Sequence, residues 1–327
     1  MSKGYQVAPE MLQTSQPPFD NMLWIPGGTF LMGSNDYYPE EAPVHSVRVD
    51  GFWMDQTPVT NAQFRRFVEE TGYVTVAERV PNAADYPGAK PELLVPASSV
   101  FKKPRHSVDM NNHYNWWHLI PGADWRHPQG PHSSLQGRDK HPVVHVAWED
   151  VQAYAHWAGK ELPTEAEWEF AARGGLDGAE YAWGNEFMPN GKHMANTWQG
   201  DFPYRNLLSD GFEGTSPVDV FPANGYGLYD MVGNVWEYTS DWYQDHPAVA
   251  HVCCTPHNPR GGDREKSYDP QQPSVRIPRV VLKGGSHLCA PNYCRRYRPA
   301  ARMPHAIDTS TSHVGFRCIV RVGGNNR

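Results

Sequence analysis

The chain has 327 residues, 20 % of them charged, and a formal net charge of −7. An acidic balance without a long basic run excludes a nucleic-acid-binding protein. No segment reaches the about 18 consecutive apolar residues of a membrane helix, and five cysteines are too few for a disulfide scaffold. The 30 prolines, 29 glycines and 12 tryptophans indicate instead a compact, loop-rich fold with an aromatic core.

Residues 1–20 predict a flexible polar tail, and residues 21–327 predict a single domain. The tail has neither an apolar core nor a cleavage-like site, so it does not resemble a secretory signal. Together with the few cysteines, this favours a cytoplasmic location. Within the domain, residues 22–34 (MLWIPGGTFLMGS) predict a hairpin around a Pro-Gly-Gly turn, and residues 45–60 (HSVRVDGFWMDQTPVT) predict a second strand pair.

Three segments predict helices. Residues 60–72 (TNAQFRRFVEETG) begin with a capping box of Thr60 and Gln63 and end at a glycine. Residues 148–160 (WEDVQAYAHWAGK) carry apolar side chains at helical spacing. Residues 163–175 (PTEAEWEFAARGG) repeat the capping box with Thr164 and Glu167. Helices are therefore few, and they do not alternate with strands as in a layered α/β fold.

The chain after Gly175 is rich in glycine, proline, asparagine and aspartate, with short strand candidates in residues 279–286 (RVVLKGGS) and 314–322 (VGFRCIVRV). Residues 75–135 and 245–280 predict long surface insertions. Irregular structure on this scale needs additional support, and bound metal ions are a natural source of it.

Cys289 and Cys294 are separated by Ala290-Pro291-Asn292-Tyr293. On a regular strand or helix, residues five apart would not face the same way. Proline and asparagine favour a tight turn, however, so the sequence predicts that the two sulfurs meet across it.

Three kinds of chemistry fit such a pair. A disulfide would close a very short loop and gain little stability. A zinc site would need two more ligands, and no second cysteine pair or matched histidine pair is near. Two thiolates alone suit a soft monovalent ion such as copper(I), and Arg295 and Arg296 would favour the thiolate form. The spacing by itself leaves metal binding, redox chemistry and a structural role open.

Six motifs resemble, in order and from residue 22 to 322, the bacterial-type formylglycine-generating enzymes, also called sulfatase-modifying factors. The first four mark a wider superfamily with non-catalytic members, and the Cys-x4-Cys motif marks the catalytic branch. The motifs are WIPGGTFLMGS (24–34), TPVTNAQF (57–64), GKELPTEAEWEFAARGG (159–175), NGYGLYDMVGNVWEYTSDW (224–242), KGGSHLCAPNYCRRYRPAAR (283–302) and HVGFRC (313–318).

The resemblance implies a compact α+β domain of the C-type-lectin-like kind with little regular secondary structure. It also implies an oxidase that converts a cysteine in a Cys-x-Pro-x-Arg motif of an unfolded or nascent sulfatase into Cα-formylglycine, using molecular oxygen. Cys289 and Cys294 match the family's copper(I) ligands, and Ser286 and Trp236 match orienting or pocket positions near them. We expect a monomer without nucleic-acid or membrane partners.

The same resemblance implies two structural calcium sites, built from carboxylates and loop carbonyls as calcium prefers. The first would use Asn196 and Asp210 with the carbonyls of Thr197 and Phe212. The second would use the side chains and carbonyls at Asp230, Gly233, Val235 and Glu237.

The sequence departs from the secretory members of this family, which carry further cysteines. Alanines replace the partner thiols in residues 153–160 and 169–175, so Cys318 is predicted to be an unpaired, buried strand thiol. Cys253 and Cys254 lie in an insertion and have no assigned role. A non-catalytic sulfatase- or ligand-binding module of the same fold remains the alternative function.

A third hypothesis is an iron-dependent sulfoxide synthase, which needs a His-x3-His-x-Glu motif. His141 and His145 have the first spacing, but alanine stands at position 147. Residues 141–148 (HPVVHVAW) predict a strand in which these histidines are structural.

Overall fold

The computed structural model describes residues 16–246 and 255–322. Most of the predicted tail (residues 1–20), together with Cys253 and Cys254, lies outside these ranges. The described chain contains three helices, α1 (Asn61–Thr71), α2 (Trp148–Trp157) and α3 (Glu165–Arg173). Its strands are short: β1 (Met22–Ile25), β2 (Gly28–Met32), β3 (His45–Val49), β4 (Phe52–Asp55), β5 (Ala97–Phe101), β6 (Trp117–Pro121), β7 (Trp236–Trp242), β8 (Arg279–Lys283), β9 (Arg302–Ala306), β10 (Val314–Gly315) and β11 (Ile319–Arg321).

The strands form four small sheets within the described ranges. A four-stranded sheet has the order β10-β7-β8-β9, and a three-stranded sheet has the order β1-β4-β11. The pairs β2-β3 and β5-β6 are separate antiparallel ribbons. Only β10 and β7 run parallel among these pairs. None of the helices in the described residues is long and apolar enough to cross a bilayer.

The predicted strands of the first 60 residues exist, but the predicted pairing is wrong. β1 pairs with β4 and β2 pairs with β3, so the β2–β3 ribbon is nested in sequence between the paired strands β1 and β4, and the two pairs are not consecutive hairpins. Gly27 permits this arrangement, since it has a φ of +69° and a Cβ there would lie 2.5 Å from the carbonyl carbon of Asp50. The Pro-Gly-Gly segment therefore packs against the β3–β4 turn and passes the chain from one sheet to the other.

The predicted helices are confirmed with their caps. At the start of α1, the Thr60 amide donates to the Gln63 side chain over 2.8 Å, and the Gln63 amide donates to the Thr60 hydroxyl over 3.3 Å. Gly72 ends the helix in the left-handed conformation, with φ of 68°. Phe64 and Phe67 on the inner face pack against each other at a ring distance of 5.3 Å.

Helix α3 is buried along its whole length and fixes the four-stranded sheet by ion pairs. Glu165 receives two hydrogen bonds from Arg302 at 2.8 and 2.9 Å, and Glu169 accepts one from Lys283 at 2.8 Å. Removing one partner of such a buried pair costs about 3–5 kcal/mol, because the other charge is left uncompensated. These pairs hold β8 and β9, which flank the two cysteines, in a fixed position against the helix.

Three further predictions from the sequence are wrong. Residues 314–322 do not form one strand but divide into β10 and β11, which belong to different sheets, and Cys318 lies between them. Residues 141–148 form no strand, since His145 has a φ of 60°. Residues 75–135 are more than a surface insertion, because they contain the β5–β6 ribbon and the fully buried Trp116 and Trp125.

Candidate active site

Two adjacent glycines lead the chain from β8 into the cysteine segment. Gly284 and Gly285 have φ angles of 90° and 71°, which side-chain-bearing residues rarely adopt. A Cβ on Gly285 would lie 2.5 Å from the carbonyl oxygen of Arg296. The double glycine therefore lets the chain before Cys289 pass directly against the chain after Cys294.

The structure brings the sulfurs of Cys289 and Cys294 to 3.1 Å from each other. The Cys294 amide donates to the Ala290 carbonyl over 2.8 Å and the Tyr293 amide donates to the same oxygen over 3.1 Å, which closes the turn. A disulfide bond is about 2.05 Å long, and both cysteines are free. The pair is therefore a reduced dithiol on a hydrogen-bonded turn.

The two thiols share one proton unequally. Burial raises the pKa of Cys289, and its hydrogen bond and proximity to Cys294 raise it further. The same hydrogen bond lowers the pKa of Cys294 to about 7, and the charge of Arg296 contributes to this. The site accordingly holds a thiol on Cys289 that donates to a thiolate on Cys294.

Arg296 is held beside Cys294 by residues from the other end of the chain. Its guanidinium lies 4.0 Å from the ring centre of Tyr38 and forms an ion pair with Glu40. Its buried Nε has no hydrogen-bond partner among the residues that the structure describes. Arg295, predicted to act on the thiols as well, turns instead toward the ring of Tyr37, at 5.2 Å.

No local pattern in the sequence connects residues 37–41 with this site, although the run YYPEE is complementary to RRYR at 295–298. Arg298 donates two hydrogen bonds to Glu41, at 2.8 and 2.6 Å, and lies 3.7 Å from the ring centre of Tyr37. We name Tyr37, Tyr38, Glu40, Glu41, Arg296 and Arg298 the clamp. The clamp fixes the chain that leaves Cys294.

Ser286 lies directly beside the dithiol, whereas Trp236 lies in the apolar cluster around it. The Ser286 amide donates to the Cys289 sulfur over 3.5 Å, and the Ser286 hydroxyl accepts from the Leu288 amide over 3.2 Å. Trp236 is 2 % exposed and belongs to the same buried cluster as both cysteines.

Tyr293, which directly precedes Cys294 in the chain, is an exposed neighbour of the dithiol that we did not single out from the sequence. Its side chain is 43 % exposed and stacks on Phe202 at a ring distance of 4.2 Å. Trp116 packs edge-on against it at 5.7 Å. Cys294 is 8 % exposed and Cys289 only 2 %. An incoming side chain would therefore reach Cys294 first, past an aromatic surface.

The structure brings the four residues of the first predicted calcium set together. The Asp210 carboxylate accepts from the Thr197 amide at 3.3 Å and from the Phe212 amide at 3.0 Å. Asn196 is buried and donates to the Gly214 carbonyl over 2.9 Å. The Thr197 hydroxyl is buried without a partner.

The second predicted calcium set contains a carboxylate without good hydrogen bonds. Neither oxygen of buried Asp230 has a partner of good geometry within the part of the chain that the structure describes, and burial raises its pKa to about 7. A cavity of about 20 Å³ touches this residue. Glu237, by contrast, already accepts two hydrogen bonds from Arg317, both 2.8 Å, and one from Trp168. Gly233 lies against the Asn196 carbonyl, and Val235 is buried nearby.

Within residues 16–246 and 255–322, no three histidine, cysteine, aspartate or glutamate side chains converge into a metal-binding group. His145 is buried between the Ser98 hydroxyl (2.7 Å) and the Pro128 carbonyl (2.9 Å). His141 contacts the Thr215 hydroxyl at 2.9 Å. Cys318 is fully buried in the apolar cluster. Metal chemistry at the dithiol would thus depend on two sulfurs alone.

Comparisons with known proteins show the family of the chain. Residues 7–322 match the family described as "Sulfatase-modifying factor enzyme 1-like domain". A Mycobacterium tuberculosis protein named formylglycine-generating enzyme is 52 % identical over 298 residues, which cover 90 % of this chain and 96 % of the relative. A Mus musculus protein named inactive C-alpha-formylglycine-generating enzyme 2 is 39 % identical over 308 residues, covering 92 % and 86 %. The structure of PvdO from Pseudomonas aeruginosa, 24 % identical, has a TM-score of 0.61 and covers 92 % of this chain and 94 % of that chain.

The predicted fold class is confirmed by the few short elements and by the agreement with PvdO. The predictions of the family and of an enzyme are confirmed by a match over nearly the whole chain and by 52 % identity to a named enzyme. The chain belongs to the family of formylglycine-generating enzymes, or sulfatase-modifying factors.

Proposed function

We propose that this protein is a copper-dependent oxidase that converts the cysteine of a sulfatase Cys-x-Pro-x-Arg motif into Cα-formylglycine with molecular oxygen. The observation that carries the proposal is the reduced Cys289–Cys294 dithiol, 3.1 Å between sulfurs, with a lowered pKa on the more exposed thiol. A protein that only binds sulfatases has no need for two adjacent thiols of unequal acidity. The relatives' name supports the substrate class.

The donor set fits copper(I). Two cysteine sulfurs are soft ligands, and soft ligands without histidine or carboxylate neighbours select a soft monovalent ion over zinc or calcium. The two sulfurs lie 3.1 Å apart on one turn, so Cys289 and Cys294 would hold the ion together. Bound copper would supply the electron transfer that activates oxygen.

The chain's own residues would hold and orient the reactants. The Ser286 amide directs the Cys289 sulfur, and the clamp fixes Arg296 so that its charge stabilises the Cys294 thiolate. The substrate thiol would approach from the Tyr293 side, where the aromatic surface excludes water from the reacting sulfur. Trp236, deeper in the cluster, would keep the inner wall apolar.

We further propose that both predicted calcium sets bind calcium as a structural ion. Asp230 supports this, because an ionised carboxylate buried without partners is costly unless a cation compensates it. At the first set, the Asp210 carboxylate lies against Thr197 and Phe212, and this carboxylate with the carbonyls of those two residues would supply oxygen ligands of the kind that calcium prefers. The ions would hold the irregular chain that packs behind the dithiol.

The proposed partner is an unfolded sulfatase segment in the cytoplasm. The enzyme would act as a monomer and bind this segment in an extended form. An extended segment exposes its cysteine to a shallow site, whereas a folded sulfatase would not reach the small exposed edge of Cys294.

The test is turnover by the reduced protein reconstituted with copper(I), using a peptide that contains Cys-x-Pro-x-Arg. We expect aldehyde formation that requires oxygen, and we expect Cys289→Ser and Cys294→Ser each to abolish it. Cys318→Ser is the matched control, because Cys318 is a buried thiol outside the Cys289–Cys294 turn. This variant should still turn the peptide over. Activity that survives the loss of Cys294 would contradict the two-thiol mechanism, and a protein that binds the peptide without turnover would be the non-catalytic module.

A further inference from the structure

A second cavity adjoins the active site on the side of His287. Its volume is about 350 Å³, within the range of ligand-binding pockets. Two of its wall residues also belong to the structure around the dithiol. Trp198 lines the cavity and donates its backbone N–H to the Cys289 carbonyl over 3.0 Å, and His287 precedes Cys289 by two positions. The cavity and the active site therefore share one wall.

The cavity is positively charged in a protein that is acidic overall. Lys102, Lys103 and Arg138 line it, and Glu213 is the single carboxylate among its lining residues. Glu213 forms an ion pair with Lys103. Within residues 16–246 and 255–322, the Lys102 ammonium donates only to the Gln129 carbonyl and side-chain oxygen, at 3.2 and 3.3 Å. Among the described residues, Arg138 has no carboxylate within ion-pair distance. Two cations thus lack a counter-charge while the chain carries −7.

The neutral groups of the cavity also suit an anion. The Ser312 hydroxyl accepts from the Phe101 amide over 3.1 Å, so its own hydrogen is free to donate. His287 is held by its Nδ1 contact with the Asn234 carbonyl at 2.8 Å. Aromatic walls from Phe101 and Trp198 reduce the local dielectric constant, which strengthens attraction between charges.

We propose that this cavity binds the carboxylate of an acidic side chain in the substrate segment, beside its reacting cysteine. The inference rests on the proposed function, since it assigns a specificity site to that same substrate. Lys102 and Arg138 would each donate a charge-assisted hydrogen bond to the carboxylate. Because the cavity shares a wall with Cys289, the carboxylate would belong to the same substrate segment whose cysteine is bound at the dithiol. An extended peptide advances about 3.3 Å per residue, which relates the distance between the two sites to the number of residues between the acidic side chain and the cysteine.

The experiment uses the copper-loaded enzyme and a series of peptides with a constant Cys-x-Pro-x-Arg core. A single glutamate is moved along the flanking positions, and each peptide is compared with its glutamine counterpart by kcat/KM. We expect one or two neighbouring positions at which glutamate is preferred by about tenfold, the typical effect of one charge-assisted hydrogen bond. The preference should shrink as salt is raised.

Lys102→Gln and Arg138→Gln should each reduce the glutamate-to-glutamine ratio toward one. The matched control is Lys192→Gln, an exposed lysine outside the cavity, which should leave the ratio unchanged. The ratio compares two peptides on one variant, so partial unfolding of a variant does not change it.

Turnover of every peptide without a positional preference would overturn the inference while leaving the proposed function intact. Competitive inhibition by inorganic sulfate that requires Lys102 and Arg138, with no positional preference, would show a free oxyanion site and would equally overturn it. Absence of turnover with all peptides would instead refute the proposed function.

Discussion

Asp230→Asn is the substitution whose effect on stability the structure predicts in most detail. In the calcium-free protein, burial raises the pKa of Asp230 from 3.8 to about 7. The folded protein therefore keeps this carboxyl protonated up to about pH 7, whereas the unfolded chain loses the proton near pH 4. Stability is accordingly lost as the pH rises from 4 to 7, and a shift of about three units corresponds to about 4 kcal/mol.

Asparagine has no proton to lose, so the variant escapes this loss. Without calcium at pH 8, we expect Asp230→Asn to raise the free energy of unfolding by up to about 4 kcal/mol, and at pH 4 we expect little difference. With calcium at pH 8 the order should reverse, because the bound ion compensates the charge of Asp230 and stabilises only the wild type.

The assay is urea unfolding in EGTA and in calcium, at pH 4 and pH 8. The matched control is Asp263→Asn, an exposed carboxylate paired with Lys266, which should change stability by less than about 0.5 kcal/mol in all four conditions. A less stable Asp230→Asn protein in EGTA at pH 8 would refute the reasoning about its burial. Equal stabilisation of both proteins by calcium would refute its role as a ligand.

Three further predictions concern the chain around the dithiol. Arg317→Met should lower the free energy of unfolding by about 3–5 kcal/mol in a urea titration, because it leaves a buried carboxylate uncompensated; a loss below about 1 kcal/mol would contradict this. Gly285→Ala should abolish turnover, since its Cβ would lie 2.5 Å from the Arg296 carbonyl oxygen. Gly88→Ala is the control, because Gly88 has a similar φ and open space around it, and this variant should remain active. Equal activity of the two variants would contradict the close contact between Gly285 and Arg296. The pKa of Cys294 is lowered first by the hydrogen bond from the neighbouring thiol and also by the charge of Arg296. Arg296→Gln should therefore move the pH midpoint of iodoacetamide alkylation in the metal-free protein upward from about 7. An unchanged midpoint would show that the arginine is not involved.

Local features of the fold could be predicted from the sequence. The helix caps at Thr60 and Thr164 depend on residues three positions apart, and the turn between Cys289 and Cys294 depends on Pro291 and Asn292 within it. Their geometry is decided by neighbouring residues, so a short sequence window contains the necessary information.

Contacts between distant segments could not be predicted in this way. The pairing of β1 with β4 requires the chain to leave one sheet and return to it, and no local pattern distinguishes this from a hairpin. The ion pair of Glu40 with Arg296 joins residues 256 positions apart. The cationic cavity likewise combines Lys102, Arg138 and His287 from three distant segments.

The resemblance to the family pointed to Ser286 and to two calcium sets, and their roles stay predictions. It did not reveal that Glu237 is already bonded to Arg317, or that the Asp230 carboxylate has no well-oriented hydrogen-bond partner among the described residues. Those differences follow from how completely each carboxylate is hydrogen-bonded, which only the folded structure shows.

Copper(I) titration of the freshly reduced protein, against a competing chromophoric chelator, is the direct test of whether Cys289 and Cys294 form a copper site. We expect one ion per chain in the wild type, sulfur-only coordination by X-ray absorption, and no tight binding in either Cys289→Ser or Cys294→Ser. One ion per chain retained in the Cys294→Ser variant, with nitrogen or oxygen ligands, would contradict the account.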